Sequence, residues 1–236
     1  THPEFWGFVL DPECEILKPT PLPERKIEFI GNSITCAYGV ESTKKDAPFE
    51  YATENHFYSY ATLVSDSLNA IHTSISRSGI GVYRNYNGPK TGDKDCMPQE
   101  FTNTLFADST HKWDFSRWQP QVVCINLGTN DLSTNNYDAR LYENAYRNFI
   151  HTVRNVYPKA KIVLLSGPML GEKENNIEKS ILDKLQKEFR KKGDKQIYRF
   201  DFAPQDGGLG YGASWHPSYL QQQKMASELT PFIRQI

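Results

Sequence analysis

The 236-residue sequence lacks any apolar run approaching the ~20 residues that a membrane-spanning helix requires. It also lacks internal repeats, low-complexity segments and any excess of one charge, the formal net charge being −1. Without a basic field there is nothing to draw nucleic acid or an anionic membrane surface, so neither is expected as a partner. The short run Arg190, Lys191, Lys192 reads as the end of a helix, and the substrate is expected to be neutral. Cysteine is scarce as well. Cys14, Cys36, Cys96 and Cys124 show no CxxC spacing and no histidine at ligand spacing, which argues against zinc, and no metal or cofactor is expected. Cys124 sits in an apolar stretch and reads as a buried, inert thiol, whereas the sequence leaves a bridge among Cys14, Cys36 and Cys96 open. Thr1 opens no signal peptide, so the chain reads as mature or excised.

What is present suffices for one substantial domain: 38% of residues are hydrophobic and 13% aromatic. Residues 1–25 differ from the rest. Phe5, Trp6, Phe8, Val9 and Leu10 form an apolar patch, and Pro19, Pro21 and Pro23 stiffen the path that follows. This arm is expected either to bury its aromatics on the main domain or to be the last strand of a domain that precedes it. The main domain is assigned to residues 26–236.

From Lys26 onward, strand and helix patterns alternate. Ile27, Phe29 and Ile30 read as a buried strand ending at Gly31. Glu54 to Leu68 carries Phe57, Tyr60, Ala61, Val64 and Leu68 on one helical face, and Ile71 to Ser76 is a second strand. The stretch SRSGIGVYRNYNGPKTGDKD is too long for a mere connection and reads as a functional loop. Val122 to Leu127, Ile162 to Leu165 and Ile197 to Phe202 are three further strands. Tyr137 to Tyr157 is helical with Leu141, Ala145, Phe149, Val153 and Val156 inward. Ile177, Ile181, Leu185 and Phe189 mark another helix, and a last one begins at Pro217 with Leu220, Met225, Leu229 and Ile233. Five strands separated by helices imply an α/β fold, a five-stranded parallel sheet with helices on both faces.

Chemistry-bearing residues fall where such a sheet gathers ligands, beyond the carboxyl ends of its strands. Ser33 follows the first strand, Asn130 lies in NLGTND after the third, and His216 lies in GASWHPS before the last helix. A serine needs a base, a neutral imidazole can serve near neutral pH, and an acyl oxyanion needs donors aimed at it.

These residues carry a resemblance. GNSIT, a glycine in the loop after the second strand, GTND and a Trp-His near the C-terminus resemble the four blocks of the SGNH (GDSL-like) hydrolases, whose sheet is flavodoxin-like. More narrowly, IEFIGNSITCAYG, SGIGVYRNYNG, CINLGTND and GYGASWHPS are similar to carbohydrate esterase family 2, whose members remove acetyl groups from plant-cell-wall sugars. The resemblance implies Ser33 as nucleophile and His216 as general base. It implies an oxyanion hole from the N–H of Ser33, a loop glycine (Gly81 by spacing, Gly79 next) and the amide of Asn130. It also implies secretion, and a β-sandwich or glycoside hydrolase domain attached to the chain, with FWGFVLD and the prolines similar to that family's tail and linker.

Two positions depart from the pattern. Asn32 replaces a frequent Asp and is expected to serve the turn. Ser214 stands where an acid usually orients the histidine, which leaves a Ser–His dyad held by a backbone carbonyl or water, a substitution, or recruitment of another acid such as Asp206. An Asp at 214 is expected to raise both the rate and the imidazole pKa. Asp131 reads as a structural hydrogen-bonder. Tyr83, Tyr86 and Trp215 are candidates for stacking on a sugar. The function expected is therefore a serine esterase removing O-acetyl groups from xylan, glucomannan or their oligosaccharides. The alternatives are a lipase or thioesterase of the same superfamily, and a carbohydrate-binding module with weakened esterase chemistry, which Ser214 and the aromatic loop motivate.

Overall fold

The computed structural model describes residues 4–236. In chain order the regular elements are β1 (Arg25–Gly31), α1 (Ser33–Cys36), α2 (Tyr60–Ser67), β2 (Ala70–Ser76), α3 (Met97–Glu100), β3 (Asn103–Leu105) and β4 (Asp108–Lys112), then β5 (Val122–Asn126), α4 (Thr129–Leu132), α5 (Ala139–Val156), β6 (Lys161–Ser166), α6 (Glu172–Lys191), β7 (Ile197–Asp201) and α7 (Tyr219–Gln235). The main sheet has five strands in the order β2-β1-β5-β6-β7, every pairing parallel. This is the architecture expected.

One hydrophobic layer packs α5 and α6 on one face through residues such as Tyr146, Phe149, Leu182 and Leu185. The other packs α2 and α7 on the opposite face through Tyr60, Val64, Met225 and Leu229. The helices start where side chains can satisfy their first amides. Asp138 accepts from the N–H groups of Arg140 and Leu141 at the start of α5, and Ser218 accepts from Gln221 at the start of α7.

Register places the chemistry. Gly31 pairs with Ser76 on one side and with Asn126 on the other, so the loops leaving β1, β2 and β5 emerge side by side. The chain order reverses about β1, and the crevice between the ends of β1 and β5 is where an open sheet of this order takes its ligand.

Several local expectations are corrected. Residues 54–68 are not one helix: two 3-10 turns, Tyr51–Thr53 and His56–Tyr58, precede α2, which starts only at Tyr60 because Ser59 caps the N–H of Thr62. Phe57 is consequently exposed, as are Leu141 and Leu220, which lie off the buried stripes of α5 and α7. Pro217 precedes α7 instead of opening it. The antiparallel β3–β4 hairpin was not foreseen. In the arm, Phe5, Trp6 and Phe8 are 75%, 91% and 71% exposed and so are not buried on the main domain, while its first three residues lie outside those described. All four cysteines are free thiols, and Cys124 is buried as expected. Among the described residues no helix is long and apolar enough to cross a membrane, and no three His, Cys, Asp or Glu side chains cluster as a metal site would require.

Candidate active site

The exit from β1 is built for a sharp turn. A Cβ on Gly31 would come within 2.7 Å of the Thr35 side chain, so only glycine fits there. Asn32 caps α1, its Oδ1 accepting from the N–H of Ile34 at 3.0 Å, as its role in the turn required. Ser33 is the first helical residue, so its own N–H is one of those with no intrahelical acceptor.

His216 reaches Ser33 from the turn before α7, its Nε2 2.8 Å from the serine Oγ. Its Nδ1 lies 3.1 Å from the carbonyl oxygens of both Ala213 and Ser214 and donates to them. This fixes the neutral tautomer, leaving the lone pair on Nε2 facing Ser33. The turn that achieves this is strained: Ser214 and Trp215 both adopt left-handed backbone, φ 49° and 62°. Burial holds the imidazole pKa below its ordinary value, and the two carbonyls only partly oppose that. The ring also stacks on Tyr38, centroids 4.1 Å apart.

Opposite the hydroxyl, Asn130 donates one amide hydrogen to the carbonyl of Ile80 at 2.8 Å, which leaves the other for the cleft. That cleft, about 450 Å³, is lined by Ser33, Tyr38, Gly79, Tyr86, Asn130 and His216 among others. Gly79 adopts φ +80°, with open space where a side chain would stand. Gly81, favoured by spacing, is not in the lining: its N–H goes to Asn85 Oδ1, and a Cβ there would meet Arg84 and Asp131. The loop donor facing Ser33 is therefore Gly79.

Asp131 explains how the loop is held. Fully buried, it accepts from the N–H groups of Tyr83 at 2.8 Å, Val82 at 2.9 Å and Arg84 at 3.2 Å. Arg84, also buried, returns a hydrogen bond from Nε to the Asp131 carbonyl at 2.8 Å and another to Thr134. The Gly79–Tyr86 loop and the Asn130 helix are thus locked together. Burial pushes the Asp131 carboxyl up to about 6.

Of the aromatic candidates, Tyr86 lies at the cleft and is 56% exposed. Tyr83 does not: it is buried, and its hydroxyl accepts from the N–H of Asp138, a structural contact at the start of α5. Trp215 packs on Tyr211 and under Lys45, outside the cleft lining although next to His216. Asp206 caps its own turn at Gly208 and makes no contact with His216. Sequence reasoning missed Tyr38 and Arg84. Tyr38, five residues after Ser33 in GNSITCAY, was the more accessible of the two, since an aromatic so close to a nucleophile must lie near the same crevice.

A hydroxyl bonded to a neutral, oriented imidazole, with amide donors across a polar cleft, is the arrangement of a serine hydrolase. Residues 29–224 match the GDSL-like Lipase/Acylhydrolase family, and the chain belongs to that family. It is 42% identical over 231 residues to Cellulase/esterase CelE of Acetivibrio thermocellus, covering 98% of this chain and 28% of that protein. It is 33% identical over 225 residues to an Acetylxylan esterase / glucomannan deacetylase of Cellvibrio japonicus, covering 92% of this chain and 59% of that one. Among solved structures it is similar to a family two carbohydrate esterase from Clostridium thermocellum in complex with cellohexaose, at TM-score 0.88 and 43% identity, over 93% of this chain and 66% of that one. The chain thus spans little more than a quarter of CelE and about three fifths of the Cellvibrio enzyme.

Proposed function

We propose that this chain is a serine esterase that removes O-acetyl groups from plant-cell-wall polysaccharides such as xylan and glucomannan, or from their oligosaccharides, through an acyl-enzyme. The observation that carries this reading is the 2.8 Å contact between Ser33 Oγ and His216 Nε2, facing the free amide hydrogen of Asn130. Ser33 attacks the acetyl carbonyl as His216 takes its proton. The developing oxyanion is met by the N–H groups of Ser33 and Gly79 and by the Asn130 amide. The imidazolium then gives its proton to the departing sugar hydroxyl, and a water activated by His216 releases acetate.

The size of the acyl group follows from the walls. Met169 is the one long aliphatic side chain in a cleft otherwise lined by hydroxyls, amides, glycine and aromatic rings, which suits acetyl and offers a long acyl chain nothing to lie on. The names of the relatives, an acetylxylan esterase / glucomannan deacetylase and a cellulase/esterase, support the substrate class. Tyr86 at the mouth is the ring we assign to a sugar face, and Trp215 flanks the same entrance. A polysaccharide substrate calls for a secreted enzyme. The exposed aromatic arm and the greater length of the relatives favour further modules in the same polypeptide, a β-sandwich or a glycoside hydrolase domain.

The test is acetate release from acetylated xylan and glucomannan, with p-nitrophenyl acetate compared against longer-chain esters. Release from the polysaccharides with a steep preference for acetyl supports the reading; a preference for long chains makes the protein a lipase or thioesterase. A second reading, glucan binding with weakened chemistry, is favoured by the exposed Tyr86 ring. Retardation on glucan in affinity electrophoresis without acetate release would select it.

A further inference from the structure

Resting on the esterase reading, the inference concerns how His216 carries a positive charge with no acid behind it. As Ser33 loses its proton the imidazole becomes imidazolium, and in a triad a buried carboxylate compensates that charge. Here Nδ1 meets only two peptide carbonyls. The charged and titratable groups on every surrounding element are otherwise engaged. Asp131 faces the amides of Val82 to Arg84, Asp206 faces Gly208, and Lys45 lies over Trp215. Among the residues lining the cleft, only the phenols of Tyr38 and Tyr86 titrate besides His216 itself.

Tyr38 is placed differently from every other neighbour. Its ring stacks on the imidazole at 4.1 Å between centroids and 29° between planes. Phe49 backs its other face at 4.5 Å and 27°, holding the phenol between the two rings. The Tyr38 hydroxyl lies 3.4 Å from Ser214 Oγ, on the turn that aims the carbonyls at Nδ1. An aromatic face carries negative potential, so it attracts a cation stacked on it and is indifferent to a neutral ring.

We propose that the face of Tyr38 takes over the charge compensation that an acid at position 214 would otherwise supply, stabilising the His216 imidazolium as the proton is transferred. Tyr38 is thus a positioning residue acting through His216. Its ring favours the charged form, opposing the burial that lowers the pKa. Removing the ring lets the pKa fall further.

The direct test is titration of the His216 imidazole by NMR in the resting full chain, which does not depend on turnover. Tyr38→Leu is expected to lower that pKa by roughly half a unit to one unit, and Tyr38→Phe to leave it unchanged. The acidic limb of kcat/KM moves to lower pH with it. kcat falls about three- to tenfold, while KM for p-nitrophenyl acetate stays within about twofold. Should Tyr38→Leu fail to fold, phenylalanines of increasing fluorination at position 38 keep the shape and weaken the ring's field stepwise, and the His216 pKa is expected to fall with each step. A pKa flat across that series overturns the proposal. So does a Tyr38→Phe variant that loses as much as Tyr38→Leu, which would transfer the role to the hydroxyl and Ser214. A protein whose His216 titration follows the ring while no acetate is released keeps the stacking and overturns the esterase reading instead.

Discussion

The Nδ1 of His216 lies 3.1 Å from the backbone carbonyl of Ser214, while the hydroxyl of the same serine turns away to the carbonyl of Ala47 at 3.3 Å. The residue that replaces the usual acid thus orients the histidine with its main chain. Of the routes open from the sequence, the geometry takes the dyad held by backbone carbonyls.

That relationship reverses the effect expected of an acid at this position. In Ser214→Asp the carboxylate would point at the Ala47 carbonyl, acceptor against acceptor, and Nδ1 would stay with its two carbonyls. We predict no gain in kcat, a loss of about threefold or more from the disturbed turn, and an acidic limb unmoved in the pH profile of kcat/KM. A faster enzyme with the limb at higher pH would show that the loop can rebuild a triad.

Asn130→Ala should lower kcat by roughly 100- to 1,000-fold with little change in KM, because the amide's free hydrogen meets an oxyanion that exists only near the transition state. Steady-state kinetics on p-nitrophenyl acetate checks this, with thermal unfolding as a control for the lost bond to Ile80. A pure KM effect would make Asn130 a substrate binder.

How far the sequence carried the reader depended on whether a signal was local or tertiary. The five strands were legible because buried parallel strands are short apolar runs between helical patterns, and Ser33, Asn130 and His216 because each follows a strand end or precedes a helix. Gly81 was preferred over Gly79 because spacing cannot reveal that Asp131 gathers the amides of Val82 to Arg84 and so turns Gly79 toward the cleft. Tyr83 fell for the same reason, its ring being drawn inward to Asp138. The β3–β4 hairpin had no apolar alternation to betray it: its strands read Asn-Thr-Leu and Asp-Ser-Thr-His-Lys, largely exposed.

Away from the site, Glu28 predicts a pH signature. It is buried in β1 with Oε2 accepting from Tyr157 and Thr73 and Oε1 unpartnered, and desolvation pushes its pKa up to about 7 despite those bonds. A carboxyl with a raised folded pKa binds its proton more tightly in the native state, so its contribution is complete below the unfolded value and is lost as pH rises through 7. Glu28→Gln should remove that loss. Urea unfolding at pH 5 and pH 8 should show the variant gaining on the wild type by up to roughly 3 kcal/mol at the higher pH. Parallel curves at both pH values would contradict the buried-acid assignment.

The arm should be dispensable to this domain. With Phe5, Trp6 and Phe8 exposed, deleting residues 4–20 removes no core contact, and the Tm should move by less than about 2 °C. A larger drop would mean that the arm packs on the domain after all.

The central claim is that Ser33, activated by His216, attacks the acetyl ester, and acetate release by Ser33→Ala tests it most directly. The hydroxyl contributes little to the core, so the variant should keep the wild-type circular dichroism spectrum. Its kcat on acetylated xylan should fall by at least about three orders of magnitude. A folded Ser33→Ala protein that retains a tenth of the wild-type kcat would contradict the account.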